Sequence, residues 1–189
     1  KYANKDINEN NFYYSKNQKL NPTIKKSLFS LPLSYMGFSG YINPFTLEAH
    51  INTNVAKLNI PTTICHEIAH QIGYSAENEA NYISIEATLN SDNEYVNYSG
   101  STFALKYLLN EIYLNDKKTY DELITKINIG VLKNYKEVSE NWKRYKNPLE
   151  KYFKKSYDIY LKANNQTKGI KTYNLVVDLL VNKYISSEL

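Results

Sequence analysis

Isoleucines recur every fourth residue at 64, 68 and 72, with Cys65 and Ala69 beside them. That spacing lines one face of an α-helix with apolar side chains and predicts a buried helix. Pro61 and the pair Thr62–Thr63 supply its start, with threonine as N-cap, and Gly73 supplies its stop. A second helix is expected over about 76–90, capped by Ser75. It carries Glu77 and Glu79 in its first turn, where carboxylates suit the helix dipole. Ahead of both, "EAHINTN" sets Ala49, Ile51 and Thr53 in alternation with His50, Asn52 and Asn54, which predicts a strand. Gly37 and Gly40 read as turn punctuation, and Pro44 as a break.

After "NSDNEYVNYSG" the pattern is helical. "TFALKYLLNEIYL", "YDELITKINIGVLKNYKEVSENWKRY", "PLEKYFKKSYDIYLKA" and "YNLVVDLLVNKYI" are separated by short polar connections. The expected class is α+β, mostly helical, with a small sheet near residues 40–56. Residues 1–20 read as a polar leading segment and 21–189 as a single domain. Within it a core of about 28–100 precedes a helical part of about 101–189.

Composition narrows the function classes. An apolar content of 42% and few Gly or Pro argue for a folded chain. The net charge of +4 is mild, and Arg144 is the only arginine, so clustered phosphate contacts, and with them a nucleic-acid partner, are not expected. Cys65 is the only cysteine, which excludes an internal disulfide and reads as a buried thiol on the apolar helix face. No apolar run approaches the length of a membrane span. The chain starts at Lys1, and we read it as a piece of something longer.

Two of the three histidines fall in "HEIAHQIGYSAENEAN", residues 66–81. Residues four apart share a helix face, so His66 and His70 can aim two imidazoles at one point. Glu67 follows the first of them, where a carboxylate reaches a metal-bound water rather than the metal. Composition alone gives such an H-E-x-x-H match about 0.003 times in a chain of this make-up. A purely structural pair would need to bury two imidazoles on an apolar helix, each with its own hydrogen bonds.

A catalytic zinc takes three protein ligands, so one more is required. Ala76 stands where the extended H-E-x-x-H-x-x-G-x-x-H pattern would place a third histidine, and that pattern fails. His50, on the expected strand, suits a groove or surface position better than a ligand. The remaining candidates are Glu77, Glu79 and Glu86. Projected at about 100° per residue, Glu77 shares a polar stripe with Asn81, Ser84 and Thr88, flanked by apolar residues on both sides. Glu79 and Glu86 fall together on the far side, which reads as solvated surface. Glu77 is favoured, and Glu79 stays open because helix starts shift by a residue or two. Asn81, one turn on, could accept the N–H of a ligating imidazole, and Ala80 is small enough to let the two helices approach.

The same stretch resembles the gluzincins, whose third ligand is the first Glu of an E-x-x-A-D/N motif; Glu77, Ala80 and Asn81 match it, with Asn where an acidic residue is usual. More narrowly, the chain resembles domain-of-unknown-function family 3810 (DUF3810). The resemblance rests on "SLPLSYMGFSGYINPFTLEAHIN", "PTTICHEIAHQIGYSAENEANYI", "YSG" and "YLKANNQTKGIKTYNLVVDLL", and covers most of residues 28–183. It implies a zincin-like fold and a bacterial zinc metallopeptidase with one zinc per chain on His66, His70 and Glu77. Its substrate would be a peptide or protein, and Glu67 would act as general base. It also implies an extracytoplasmic domain, anchored to a membrane by a segment missing from this chain. Tyr98 and Tyr173 fall within the resemblance and are candidates to stabilise an oxyanion. The strand "EAHINTN" would be the edge on which an extended substrate pairs. The other class of function weighed is a catalytically silent zincin-fold sensor or binding module. Glu67 argues against it, because a closed structural site needs no base.

Overall fold

The computed structural model describes residues 22–187, apart from the side chains of residues 170, 172, 173, 186 and 187. The polar leading segment of residues 1–20 lies outside the described residues. In chain order the structure runs β1 (Ile24–Lys26), α1 (Ser30–Met36), β2 (Gly40–Ile42) and β3 (Ala49–Ile51). A 3-10 turn (Lys57–Asn59) leads into α2 (Ile60–Gln71), α3 (Glu77–Leu89) and α4 (Glu94–Asn115). Then come α5 (Lys117–Ile124), α6 (Ile129–Lys143), α7 (Glu150–Ala163), a second 3-10 segment (Gly169–Leu175) and α8 (Val176–Ser187). The class is α+β and mostly helical, with one three-stranded sheet among the described residues.

The sheet order is β1-β3-β2, with β1 parallel and β2 antiparallel to β3. The alternation read from the sequence holds: Ala49 and Ile51 are buried, while His50 points to the other face. The expectation of a substrate-binding edge at "EAHINTN" does not hold. β3 is central, with its hydrogen-bonding groups taken on both sides, because β1, which no pattern announced, adds as a third strand. Gly40 is likewise not a turn residue but the first residue of β2.

Helix α2 begins at Ile60, not at a threonine cap. Asn59 holds the cap position without a side-chain hydrogen bond. Pro61 lies in the first turn, where its missing N–H costs nothing, and Thr62 donates from its hydroxyl to the Asn59 carbonyl at 3.0 Å. Cys65, Ile68 and Ala87 form one buried cluster; Ala69, Ala80 and Ile83 form another. The alanines at 69 and 80 let α2 and α3 pack closely. A similar close approach joins α3 to α4: a Cβ on Gly100 would come within 2.2 Å of the Thr88 hydroxyl oxygen. Helix α4 also starts earlier than the polar run suggested, because Asn93 caps it by accepting from the N–H groups of Tyr95 and Val96. The long stretch 120–145 divides at Asn128, which caps α6 by accepting from Gly130 N–H.

Glu86 corrects the reading of α3. It is only 1% exposed, not a solvated surface residue. Helix α8 packs against the Ile85 side of α3 through Val176, Val177 and Leu180, and Lys183 pairs with the buried carboxylate. The cover comes from 97 residues downstream, a separation that helix periodicity cannot register. Removing one partner of such a pair strands a buried charge. Lys183→Met should therefore lower stability by about 1–3 kcal/mol in urea unfolding. The double variant with Glu86→Gln should recover most of that loss, and additive losses would contradict the pairing.

Candidate metal centre

The site is built at the junction of α2 and α3. His66 and His70 lie one turn apart on α2, with rings edge to face at a centroid distance of 4.6 Å. Their Nε2 atoms are 3.1 Å apart. Glu77, the first residue of α3 and 3% exposed, brings Oε2 to 3.2 Å from His66 Nε2 and 3.5 Å from His70 Nε2. These three residues form the one group among the described residues whose ligand atoms could hold a metal ion. Glu79 is exposed and lies outside this group, and Glu77 is buried, as the projection of α3 placed them.

The turn between the helices fixes the tautomer of one imidazole. Gly73 adopts φ +111°, a conformation open to glycine and strained for other residues. Its N–H donates to the His70 carbonyl, and Tyr74 N–H donates to the Ala69 carbonyl. The turn brings the Tyr74 carbonyl to 2.7 Å from His70 Nδ1. A carbonyl only accepts, so Nδ1 carries the proton and Nε2 of the neutral ring presents a lone pair to the site. Glu77 Oε2 is buried and has no hydrogen-bond partner of its own. Two imidazole nitrogens and a carboxylate oxygen thus converge on one point, where they could hold a metal ion. Burial opposes a charge on Glu77, yet the two imidazoles outweigh it and hold the carboxyl well below the usual carboxylate range. Burial also opposes a charge on His70, yet Glu77 raises that imidazole above its ordinary value.

Glu67 lies on the same helix, 5% exposed and outside the ligand group. Burial pushes its carboxyl up to about 7, against the pull of His66 and His70. Strand β2 abuts it: a Cβ on Gly40 would come within 2.5 Å of Glu67 Oε1. That contact, not a turn, is what requires glycine there.

Other sequence candidates stand outside the His66–His70–Glu77 group or outside the described side chains. Asn81 is buried but donates from Nδ2 to the Tyr107 hydroxyl at 3.2 Å; the acceptor for the His70 N–H is the Tyr74 carbonyl. Burial pushes Tyr107 itself up to about 12. The Tyr98 hydroxyl accepts from Asn134 Nδ2 at 2.6 Å, which ties α4 to α6. Tyr173 lies in the second 3-10 segment, and its side chain is outside the described residues. His50 is no member of the ligand group; its ring stacks on Tyr41 across β2 and β3 at 4.8 Å and is mostly buried.

Two contributors were not foreseen. Tyr157 on α7 donates its hydroxyl to Glu77 Oε1 at 2.6 Å. Gln166 accepts from Glu77 N–H at 3.2 Å and donates to the Ser75 carbonyl at 3.1 Å. It occupies the role expected of Ser75, since the cap position of α3 is Ala76 and offers no side-chain acceptor. Both act on Glu77 from 80 and 89 residues away, and in a chain with 19 tyrosines no local signal marks one of them.

Titration of metal-free protein with a divalent cation should find one site per chain. His66→Ala, His70→Ala and Glu77→Ala should each abolish or severely weaken it, while His50→Ala and Glu79→Ala leave it intact. Equal binding by wild type and His66→Ala would remove this centre.

No curated protein and no solved structure matches this chain significantly. A family profile described as "Protein of unknown function (DUF3810)" matches residues 1–181. The match spans nearly the whole sequence, and the chain belongs to the DUF3810 family.

Proposed function

We propose that this protein is a zinc-dependent metallopeptidase with a zincin-like arrangement of helices α2 and α3. The observation that carries the reading is a buried carboxylate, Glu67, set beside a converging His66–His70–Glu77 group without belonging to it. The donor set, two imidazoles and one carboxylate, is a catalytic zinc set with a position left open. The distances fit as well. Ligands held tetrahedrally at zinc bond lengths stand about 3.3 Å apart, and the three separations here are 3.1, 3.2 and 3.5 Å.

Bound zinc would supply a water acidified to a pKa of about 7 and a Lewis acid for the scissile carbonyl. The chain supplies the rest. Glu67 takes the proton and returns it to the leaving amine; a carboxyl poised near neutrality suits both transfers. Gly40 leaves room for that carboxylate, and Tyr74 holds His70 in the ligating tautomer. Strand β2 has one edge on β3 and no strand on its other edge among the described residues. It reaches Glu67 through Gly40, so it is the strand on which an extended peptide would pair its main chain. The substrate class is accordingly peptide or protein. No helix among the described residues is long and apolar enough to cross a membrane, and the membrane anchorage we propose would lie outside those residues.

Glu67→Gln keeps size and fold but removes the base. It should retain zinc and thermal stability while cleavage of a diverse peptide library falls by about 10²–10⁴. Gly40→Ala, which forces the Glu67 side chain aside, should likewise keep zinc and lose cleavage. Undiminished cleavage by Glu67→Gln would refute the assignment of the base. A wild type that binds zinc and cleaves nothing would favour a binding or sensing role.

A further inference from the structure

We propose that Tyr157 is a positioning residue of the metal centre, restricting Glu77 to one ligating oxygen. The inference rests on the zinc reading of the His66–His70–Glu77 group. Glu77 has two carboxylate oxygens with different surroundings. Oε2 faces both imidazoles and has no hydrogen-bond partner. Oε1 accepts the Tyr157 hydroxyl at 2.6 Å, within the range of a charge-assisted O–H···O⁻ bond. A carboxylate with both oxygens free can chelate a cation through both and occupy the position a reacting water needs. A donor fixed on Oε1 removes that option and turns Oε2 toward the imidazoles.

The hydroxyl is itself held. The Phe38 ring meets the Tyr157 ring edge-on at 5.1 Å, and Tyr160 stacks on it at 5.9 Å. Phe38 follows Gly37, which ends α1 in the left-handed conformation, and lies two residues before Gly40, the residue against Glu67. One run of contacts therefore joins the strand beside Glu67 to the third ligand. Gln166 fixes the backbone at the same point through Ser75 and Glu77, so both the side chain and the main chain of the ligand are set by the part of the chain after residue 150. Phenylalanine would preserve the ring contacts of Tyr157 and remove the bond to Oε1.

The test uses the full chain, wild type beside Tyr157→Phe, stripped of metal. Zn²⁺ affinity is read by competition with a chromophoric chelator, and Co²⁺ coordination by its visible d–d absorption. Wild type should bind one ion with the intense band of four-coordinate Co²⁺. Tyr157→Phe should bind about 10–100-fold more weakly, with a band of reduced intensity as the second oxygen enters. Equal affinity and equal bands would overturn the role of Tyr157 while leaving the metal centre standing. Weaker binding with an unchanged band would mean packing rather than coordination control, and overturns it too. A wild type that binds neither ion overturns this proposal together with the zinc reading. Circular dichroism and thermal melting check that the variant folds. If it does not, the wild-type band decides alone: four-coordinate supports the proposal, and five- or six-coordinate overturns it.

Discussion

Three atoms, His66 Nε2, His70 Nε2 and Glu77 Oε2, face one another at 3.1–3.5 Å, and the side chains that carry them are mostly buried. The carboxylate and the imidazoles hold one another: the two imidazoles keep Glu77 ionised, and Glu77 raises His70 above its ordinary value. The surrounding structure fixes all three in place. Gly73 turns the chain so that Tyr74 can occupy the far nitrogen of His70. The alanines 69 and 80 bring α2 and α3 close enough for Glu77 to reach α2. Side chains fixed by so many neighbours form a preorganised group that could hold a metal ion.

Around this cluster the fold divides its labour. The sheet supports the face of α2 through Ala49 and Ile51 and brings Gly40 against Glu67. Helix α4 backs α3 at the Gly100–Thr88 crossing and meets Asn81 through Tyr107. Helix α7 and the loop after it act on Glu77 itself. The buried polar stripe of α3, Asn81, Ser84 and Thr88, satisfies its hydroxyls locally: Ser84 donates to the Asn81 carbonyl and Thr88 to that of Ser84. That arrangement lets a helix with little apolar surface sit in the interior.

What could be read beforehand was local. The H-E-x-x-H helix, the strand before it and the choice of Glu77 over Glu79 all follow from periods of two or 3.6 residues, which a sequence displays directly. Glu86 shows the limit of the same method. Its helical phase matched Glu79, but only one of the two lies under α8, and nothing within a few residues of Glu86 carries that information. The central place of β3 was hidden for a similar reason: β1 is three residues long and leaves too short a pattern to notice. Tyr98 was singled out by likeness alone and serves α6, whereas Tyr157 reaches the site through tertiary packing.

The clamp on Glu77 also sets an order on the chain's maturation. Helices α2 and α3 are neighbours in sequence, and their contacts close short loops that form early. The bonds from Tyr157 and Gln166 close loops of 80 and 89 residues, whose entropy must be overcome before they give any return. A ribosome-bound chain can thus present both histidines and all three nearby glutamates of α3 while the centre is still unfinished. Completion waits for the segment that carries Tyr157 and Gln166 to emerge and dock. The centre therefore reaches its final geometry only after α7 and the loop that follows it have docked.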